Sequence, residues 1–382
     1  MSNITRILGV GSRVLAVSAV TLGAASASAF AAGSPVVGHV YVNDNSTSVN
    51  TIAGFERHED GSLTANPGSP YTAGGLGSGK GLGSQGALQE TKNGRYLLAT
   101  DAGSNQISVL KVAKNGALQP ASAPVSSGGV DPVSVAVSGN LVYVANAGAG
   151  GTNVTGFILS DGSLDAIPNS TVALPEGSGP GDVLFNTDGR KLVVTLAASS
   201  EIASYDVRSQ HLFAAPGSPY SGQGLGQIGA EFRPTNAEQL FVTNAHNGAG
   251  LGTVSAFEDN NIGELTSITG PPVANLQTAP CWVTISANGQ YLFTANTASG
   301  TISSYSIAGN GGLSLIGSVP AGEAGIGAVD LRLSPEGNTL YVNGSKAGVV
   351  AAFAVNGGEL TQLPSSPTPL PAGAVASGIV VQ

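Results

Sequence analysis

The chain has 382 residues, of which 41% are hydrophobic and 10% are charged, and it contains 56 glycines and 21 prolines. This composition provides enough apolar sequence for a large core, and the glycines show no Gly-X-Y period, which excludes a collagen-like protein. The 14 basic residues are outnumbered by 23 acidic ones, and a negative net charge disfavours nucleic acid or an anionic membrane as a partner.

Residues 1–29 have the pattern of a secretory signal peptide. Arg6 and Arg13 supply a positive n-region, residues 14–25 are apolar, and Ala27-Ser28-Ala29 is a small-x-small cleavage site. The apolar run of about 12 residues is shorter than the roughly 20 needed to cross a bilayer. We therefore expect a mature protein that starts near Phe30, is secreted or periplasmic, and has no membrane anchor.

Beyond that segment, a short pattern recurs seven times: a β-branched aliphatic residue, two mostly small residues, then an aromatic residue or leucine. The copies begin, at intervals of 47 to 55 residues, at Ile52, Ile107, Val154, Ile202, Val254, Ile302 and Val350. Self-similarity at this period, carried by short strands and turns, is typical of a β-propeller with one repeat per blade. We predict an all-β protein, a seven-bladed β-propeller with four-stranded antiparallel blades.

The third repeat shows the predicted unit, with strands a, b, c and d at 132–137, 141–145, 153–159 and 163–167. Strand b is rich in β-branched and aromatic residues, which favour a packed sheet. Asp161-Gly162 separates strands c and d and suits the positive φ values of a two-residue hairpin turn. The fourth repeat has Ser209-Gln210 in the same place, without glycine, so we expect a looser turn there.

The two ends of the mature chain complement each other. Its first repeat begins at strand b, residues 39–42, and lacks strand a, whereas residues 376–381 read as a strand a with no blade of its own. The C-terminal strand should therefore complete the first blade and remove the exposed sheet edges that an open ring would leave. Residues 30–382 are predicted to form a single domain.

In a four-stranded meander, the b–c turns and d–a connections share one face of the ring, called here the upper face. Equivalent positions at the end of strand b are Asp44, Asp101, Asn146, Leu196, Asn244, Asn296 and Gly344. The asparagine side chains are candidates to bind substrate hydroxyls, and the two aspartates are candidate Ca²⁺ ligands. The competing interpretation is that these residues end strands by bonding their own turn backbone, which asparagine and aspartate commonly do.

A second set of equivalent positions lies where strand a begins: Ala87, Ser134, Asp182, Ala230, Trp282, Asp330 and Ser377. Asp182 and Asp330 are candidates for an acid–base pair or a cation site near the channel; the alternative is two solvated loop aspartates. Trp282 and the strand-a residue Arg332 are candidate substrate contacts. His246, in a b–c turn, is a candidate general base.

Two glycine-rich stretches resemble each other, at 68–83 and 217–226. The first contains Gly74 to Gly79 followed by Lys80, but Gly81 stands where a phosphate loop has serine or threonine. Both are predicted to be long d–a connections that shape or cover the channel mouth. Cys281 is the only cysteine, which excludes an intrachain disulfide, and its apolar strand predicts a buried thiol rather than a nucleophile.

The repeat unit, with strands b such as Val142-Tyr143-Val144-Ala145-Asn146, resembles the lactonase-type seven-bladed propellers. That family includes 6-phosphogluconolactonase and carboxymuconate cyclase relatives. The resemblance covers the whole mature chain, and it implies opening or closing of a lactone ring, with basic residues stabilising the carboxylate and the developing oxyanion.

One motif departs from that family. Its members typically carry an Arg-His pair after Gly-Pro at the start of a strand a, whereas Gly179-Pro180 is followed here by Gly181-Asp182. Arg233 and Arg332 are the arginines within the predicted strands a. The missing pair disfavours phosphorylated and polycarboxylate substrates.

Two functions follow from these observations. The first is an exported lactonase-like hydrolase of a lactone or related ester, with Ca²⁺ as the candidate cofactor. The second is a non-catalytic secreted propeller that binds a protein or a polysaccharide through its loop face. The family resemblance favours the first, and the missing Arg-His pair favours the second.

Overall fold

The computed structural model describes residues 33–268, 270–323 and 325–382, and every regular element among them is a β-strand. Pro35–Gln382 form one compact unit. No helix in the described ranges is long and apolar enough to span a membrane. The predicted signal peptide, residues 1–29, lies outside the described residues.

Seven antiparallel sheets form the ring, so the predicted seven-bladed propeller is confirmed. Strands a, in ring order from blade two, are Leu88–Glu90, Pro132–Ser138, Pro180–Phe185, Gln227–Arg233, Pro280–Ile285, Ala328–Leu333 and Ile379–Val381. Strands b, from blade one, are Val36–Asn43, Tyr96–Asp101, Leu141–Asn146, Lys191–Leu196, Asn236–Asn244, Tyr291–Asn296 and Thr339–Gly344.

The outer strands complete each blade. Strands c are Thr51–His58, Gln106–Val112, Asn153–Ser160, Glu201–Arg208, Thr253–Asp259, Thr301–Ile307 and Val349–Asn356. Strands d are Leu63–Ala65, Leu118–Pro120, Ser163–Ala166, His211–Ala214, Leu265–Ser267, Leu313–Pro320 and Glu359–Gln362. In six blades a second two-residue strand also pairs with strand c: Tyr71–Thr72, Val125–Ser126, Val172–Ala173, Tyr220–Ser221, Val273–Ala274 and Thr368–Pro369.

Strand b is the buried centre of each blade, because it has a sheet neighbour on both sides and a packed blade on both faces. Its tyrosines also join neighbouring blades: the hydroxyl of Tyr41 donates to the carbonyl of Gly116, and that of Tyr341 donates to the carbonyl of Gly61, at 2.8 and 3.0 Å. Each such buried bond contributes about 1 kcal/mol net. The blades are thus tied together near their c–d turns.

The c–d turns of blades three and four have the same conformation. Asp161 and Gly162 have φ of 46° and 87°, and Ser209 and Gln210 have φ of 47° and 68°. Strand residues on either side of both turns pair directly, so the looser turn expected at Ser209 is wrong. The carbonyl of Gln210 accepts a bond from the hydroxyl of Tyr143, a contact between blades that helps hold a turn without glycine.

The ring closes as predicted. Ile379–Val381 pairs antiparallel with Val36–Asn43, matching Val40 with Val381 and Val42 with Ile379. The buried guanidinium of Arg57 donates to the carbonyl of Gln382 at 3.0 Å and forms an ion pair with Glu336 at 2.9 Å. The C-terminal strand is therefore held both by the sheet and by a side chain of the blade that it completes.

Candidate functional site: a divided central channel

Strands a line the central channel, and their pairing with strands b sets the depth of each side chain. One residue of every strand a lies opposite the middle of its strand b. These residues are Gln89, Ala136, Leu184, Glu231, Thr284, Arg332 and Val380. The set forms a ring at one level, called here the middle ring. It brings the carboxyl group of Glu231 and the guanidinium of Arg332 to the same depth of the channel.

A cavity of about 570 Å³ contains five members of the middle ring: Gln89, Ala136, Leu184, Glu231 and Arg332. Its walls also include Gln85 and Asp182, and its rim is formed by residues of the a–b turns, among them Lys92 and Asp188. The a–b turns lie on the face opposite the upper face, so this cavity opens on the lower face. We call it the lower cavity.

Glu231 and Arg332 are the charged pair of the middle ring. Burial raises the pKa of Glu231 to about 7, although Arg332 acts in the opposite direction. The carboxylate of Glu231 accepts no hydrogen bond from the part of the chain that the structure describes. It is therefore available to a water molecule or a substrate in the cavity.

Arg332 is surrounded by acids. Burial lowers its pKa, but Asp330, Glu231, Asp182 and Glu90 together raise it above the ordinary value. Its Nη1 lies 3.3 Å from Oδ1 of Asp330 and donates to the carbonyl of Leu331 at 3.0 Å. The side chain is 21% exposed, and it stays charged while facing the cavity.

Asp182 and Asp330 are buried, at 2% and 1% exposure, so the alternative of two solvated loop aspartates is wrong. Asp182 accepts hydrogen bonds from Ser134 Oγ at 3.2 Å and from the amide of Ala230 at 3.1 Å. Burial raises its pKa to about 7, the largest opposing influence being the Ala230 hydrogen bond.

Asp330 has different partners. Its oxygens accept from the amides of Leu331 at 2.9 Å and Ile379 at 3.3 Å, besides Arg332. Burial raises its pKa, and Arg332 opposes the shift. The two aspartates influence each other electrostatically, but each is anchored to a different part of the ring.

The glycine-rich connection from blade one to blade two enters the channel and divides it. The amide of Gln85 donates to the carbonyl of Gly181 at 2.8 Å, its side chain donates to the carbonyl of Ala230 at 3.2 Å, and its Oε1 accepts from the amide of Val283 at 2.9 Å. The hydroxyl of the neighbouring Ser84 donates to the carbonyl of Val133. We call residues 81–86 the plug, because these bonds join it to blades three, four, five and six.

A smaller cavity of about 230 Å³ lies on the other side of the plug. Its lining includes Leu82, Trp282, Val329, Asp330 and Ser377. The indole Nε1 of Trp282 donates to the carbonyl of Ser84 at 2.8 Å, so the tryptophan supports the plug from this side. We call this space the upper cavity.

The candidates at the ends of strands b lie inside the blades and line neither cavity. Asn146 Nδ2 donates to Asn153 Oδ1, and Asn296 Nδ2 donates to the hydroxyls of Thr301 and Ser303. Asn244 Nδ2 makes the equivalent bonds to Thr253 and Ser255. These contacts join strand b to side chains of strand c and not to the backbone of the following turn, so they differ from the bonding that the competing interpretation expects.

The two candidate Ca²⁺ ligands have similar surroundings. Asp101 accepts from Ser108 and Asn50, and Asp44 accepts from Thr51. Burial raises the pKa of Asp101 to about 6 and that of Asp44 to about 7. No group of three or more histidine, cysteine, aspartate or glutamate side chains able to hold a metal occurs in the described ranges.

Two further predicted residues lie apart from the lower cavity. His246 is exposed in its b–c turn, packed against Gly226, and lines neither cavity. Cys281 is buried, as predicted, and burial raises its pKa to about 11. The thiol is therefore protonated at neutral pH.

Glu231 was missed by the sequence alignment of the repeats. The a–b hairpin of blade five, from Gln227 to its partner Asn244, is one residue longer than the hairpin from Pro180 to Leu196 in blade four. Gly229, rather than Ala230, therefore takes the place that corresponds to Asp182. Glu231 then faces the channel at the level of Arg332. The sequence did contain a signal for this residue, namely an acid inside a predicted strand a. Burying such an acid costs free energy unless it faces water or a partner.

Comparisons with known proteins agree with this architecture. The family model described as lactonase, seven-bladed β-propeller, matches residues 233–325. No curated protein sequence matches the chain. Among solved structures, a protein of Bacteroides uniformis provisionally assigned as a 6-phosphogluconolactonase is 18% identical, with a TM-score of 0.73, and the match covers 91% of this chain and 99% of that one.

The periplasmic gluconolactonase of Pseudomonas aeruginosa is 16% identical, with a TM-score of 0.70, over 90% of this chain and 98% of that one. At these identities the structural matches establish the fold, and the family model adds a similarity to lactonase-type propellers over blades five and six. The chain is a seven-bladed β-propeller, and the predicted resemblance to the lactonase-type propellers is confirmed, with the family model matching residues 233–325.

Proposed function

We propose that this protein is an exported lactonase that hydrolyses a small lactone in the lower cavity. The observation that carries the proposal is the placement of the Glu231 carboxylate and the Arg332 guanidinium at the same level of one water-accessible cavity. The family match and the gluconolactonase likeness support this class of reaction. A volume of about 570 Å³ lies within the range of small-molecule sites.

The chemistry assigns one role to each charged group. Glu231 accepts a proton from water as the water oxygen attacks the lactone carbonyl carbon, and Arg332 stabilises the oxyanion that forms. When the ring C–O bond breaks, Glu231 returns the proton to the departing alkoxide. The product is a hydroxy acid. The enzyme returns to its starting state, and the reaction consumes no cofactor.

The charge of the cavity favours a neutral substrate. Glu231 and Asp182 face one fully charged group, Arg332, while Lys92 is at the exposed rim. Burial raises the pKa of both acids to about 7, so the cavity gains negative charge as pH rises. An anionic lactone would then be repelled from its inner wall.

The test is turnover of a panel of neutral γ- and δ-lactones, with and without EDTA, by the wild type and by Glu231→Gln. We expect the variant to lose about 10²- to 10⁴-fold in kcat, the usual contribution of a positioned general base. Gln89→Asn, another middle-ring change, is the matched control and should keep most of the activity. Absence of lactone turnover by the folded wild type, or full activity of Glu231→Gln, would refute the proposal.

Export is proposed from residues 1–29 and is tested separately. Expression of the full chain in a Gram-negative host should yield a shortened protein in the periplasmic fraction or the medium. N-terminal sequencing should find a start near Phe30. An uncleaved chain that stays in the cytoplasm would contradict export without affecting the hydrolase proposal.

A specific observation favours the second candidate, a protein-binding function of the upper face. Leu225, Leu251 and Leu276, in neighbouring loops of blades four to six, are 55%, 60% and 70% exposed. Changing all three to serine should abolish capture of a partner from extracellular material and leave lactone turnover unchanged. If capture persists, the upper face is not the binding surface.

A further inference from the structure

Blade two carries an unusual concentration of unpaired cations. Of the basic residues in the described ranges, Arg57, Arg190, Lys191, Arg208 and Arg332 form ion pairs. Lys92, Arg95, Lys111 and Lys114 have no carboxylate within 4 Å in the part of the chain that the structure describes. Four such cations within one blade are notable, because acids outnumber bases in the chain by 23 to 14.

Three of these cations converge on a concave surface. Lys92, Arg95 and Lys114 line a groove of about 460 Å³ beside the lower cavity, together with His39, Asn93 and Gln382. We call it the basic groove. The Arg95 guanidinium lies 5.4 Å from the centre of the Tyr96 ring, a cation–π contact that restrains the side chain without neutralising it.

The acid that lines the groove has a partner of its own. Glu90 Oε2 accepts a hydrogen bond from Gln382 Nε2 at 2.9 Å, and burial raises the pKa of Glu90. The three cations are exposed and repel one another. An anion in the groove would relieve that repulsion.

The neutral groups of the groove indicate what kind of anion fits. The side-chain amide of Asn93 donates no hydrogen bond to the described residues, since its oxygen alone is used, by Thr91 and by the Arg95 amide. Amide donors beside cations suit a ligand that combines hydroxyls with carboxylates. The negative charge elsewhere on the protein disfavours a long polyanion such as nucleic acid.

We propose that the basic groove binds a short acidic saccharide, with uronate carboxylates on Lys92, Arg95 and Lys114 and sugar hydroxyls on Asn93. Lys92 also lines the lower cavity, so a saccharide in the groove lies at the mouth of that cavity. Binding there goes beyond lactone hydrolysis and does not require it.

The experiment measures binding of labelled tetragalacturonate and of its methyl ester, which has the same backbone without negative charge. The wild type should bind the acid form, lose affinity as salt rises, and bind the ester at least about tenfold more weakly, a loss of about 1.4 kcal/mol. Arg95→Glu with Lys114→Glu should abolish binding. Lys80→Glu with Lys346→Glu, which changes the net charge equally at exposed upper-face sites, should not.

Each other outcome overturns the proposal. Equal binding of acid and ester would show that charge is not recognised, and equal loss in both double variants would show only a net-charge effect. Tighter binding of a DNA oligonucleotide or of phosphatidylglycerol vesicles would assign the groove to phosphate instead. If the charge-reversed variant Arg95→Glu with Lys114→Glu fails to fold, Arg95→Gln with Lys114→Gln replaces it. The lactone assay on each variant separates a loss of saccharide binding from a loss of hydrolysis.

Discussion

The two cavities lie in one channel on opposite sides of the plug, yet they differ in chemistry. The lower cavity is about 570 Å³ and contains Glu231, Asp182 and Arg332, whereas the upper cavity is about 230 Å³ and is walled by Trp282, Leu82 and Val329 with one carboxylate. The plug separates them. The difference shows what a connection inserted into a symmetric ring can do. The plug closes one end of the lower cavity and so makes that cavity chemically distinct from the upper one.

Removal of the C-terminal strand should have the largest effect, since it takes away part of the upper wall. Truncation after Ala374 deletes Ser377 and Gly378, which line the upper cavity, and the pairing of Ile379–Val381 with strand b of blade one. We expect an open ring that no longer unfolds cooperatively. A soluble truncated protein with a single sharp thermal transition would contradict this closure.

Breaking the plug should have the next largest effect. Gln85→Ala leaves the amide of Val283 and the carbonyl of Ala230 buried without their partner, at a cost of about 2–4 kcal/mol in the free energy of unfolding. It should also join the two cavities, so acrylamide should quench Trp282 more strongly. Gln89→Ala, whose side chain makes no hydrogen bond with the described residues, is the control and should cost less than about 1 kcal/mol.

Neutralising Asp182, the buried acid in the wall of the lower cavity, should make the protein more stable at high pH. The folded pKa of Asp182 is about 7, above its ordinary 3.8, so its stability contribution is complete below about pH 4 and is lost as pH rises through 7. Asp182→Asn should therefore raise the melting temperature at pH 8 and change it little at pH 4. The measurement is thermal unfolding at both pH values, with Asp188→Asn at the cavity rim as a control; a lower melting temperature at pH 8 would oppose this account.

The smallest expected effect concerns the cysteine beside the upper cavity. The Cys281 thiol, with its pKa raised to about 11 by burial, should react with a disulfide reagent far more slowly than free cysteine at pH 8. Gln85→Ala should accelerate labelling by loosening the plug. Fast labelling of the wild type would show that the upper cavity is more open than its contacts imply.

Much of the fold could be predicted because its determinants are local. The repeat period, the apolar strands b and the Asp161-Gly162 turn all depend on neighbouring residues, and the closure followed from counting strands. The turn at Ser209 was mispredicted because its support, the hydroxyl of Tyr143, comes from another blade. Local turn chemistry contains no information about that contact.

The site was predicted only in part. Asp182 and Arg332 were identified and lie in the lower cavity, and Trp282 and Asp330 line the upper one. Glu231 was missed because the a–b hairpin of blade five is one residue longer than that of blade four, and an alignment of the repeats at a fixed offset assumes equal hairpin lengths.

The sequence by itself determined the number of blades, the four-stranded unit and the completion of the first blade by the last strand, because periodic apolar residues and turns act over a few positions. Only the tertiary structure decided that the channel is divided and that its charged cavity opens on the lower face. That outcome rests on bonds such as Gln85 to Val283, between residues 198 positions apart. A ring brings such residues together at its axis, where a side chain of any blade can meet that of any other.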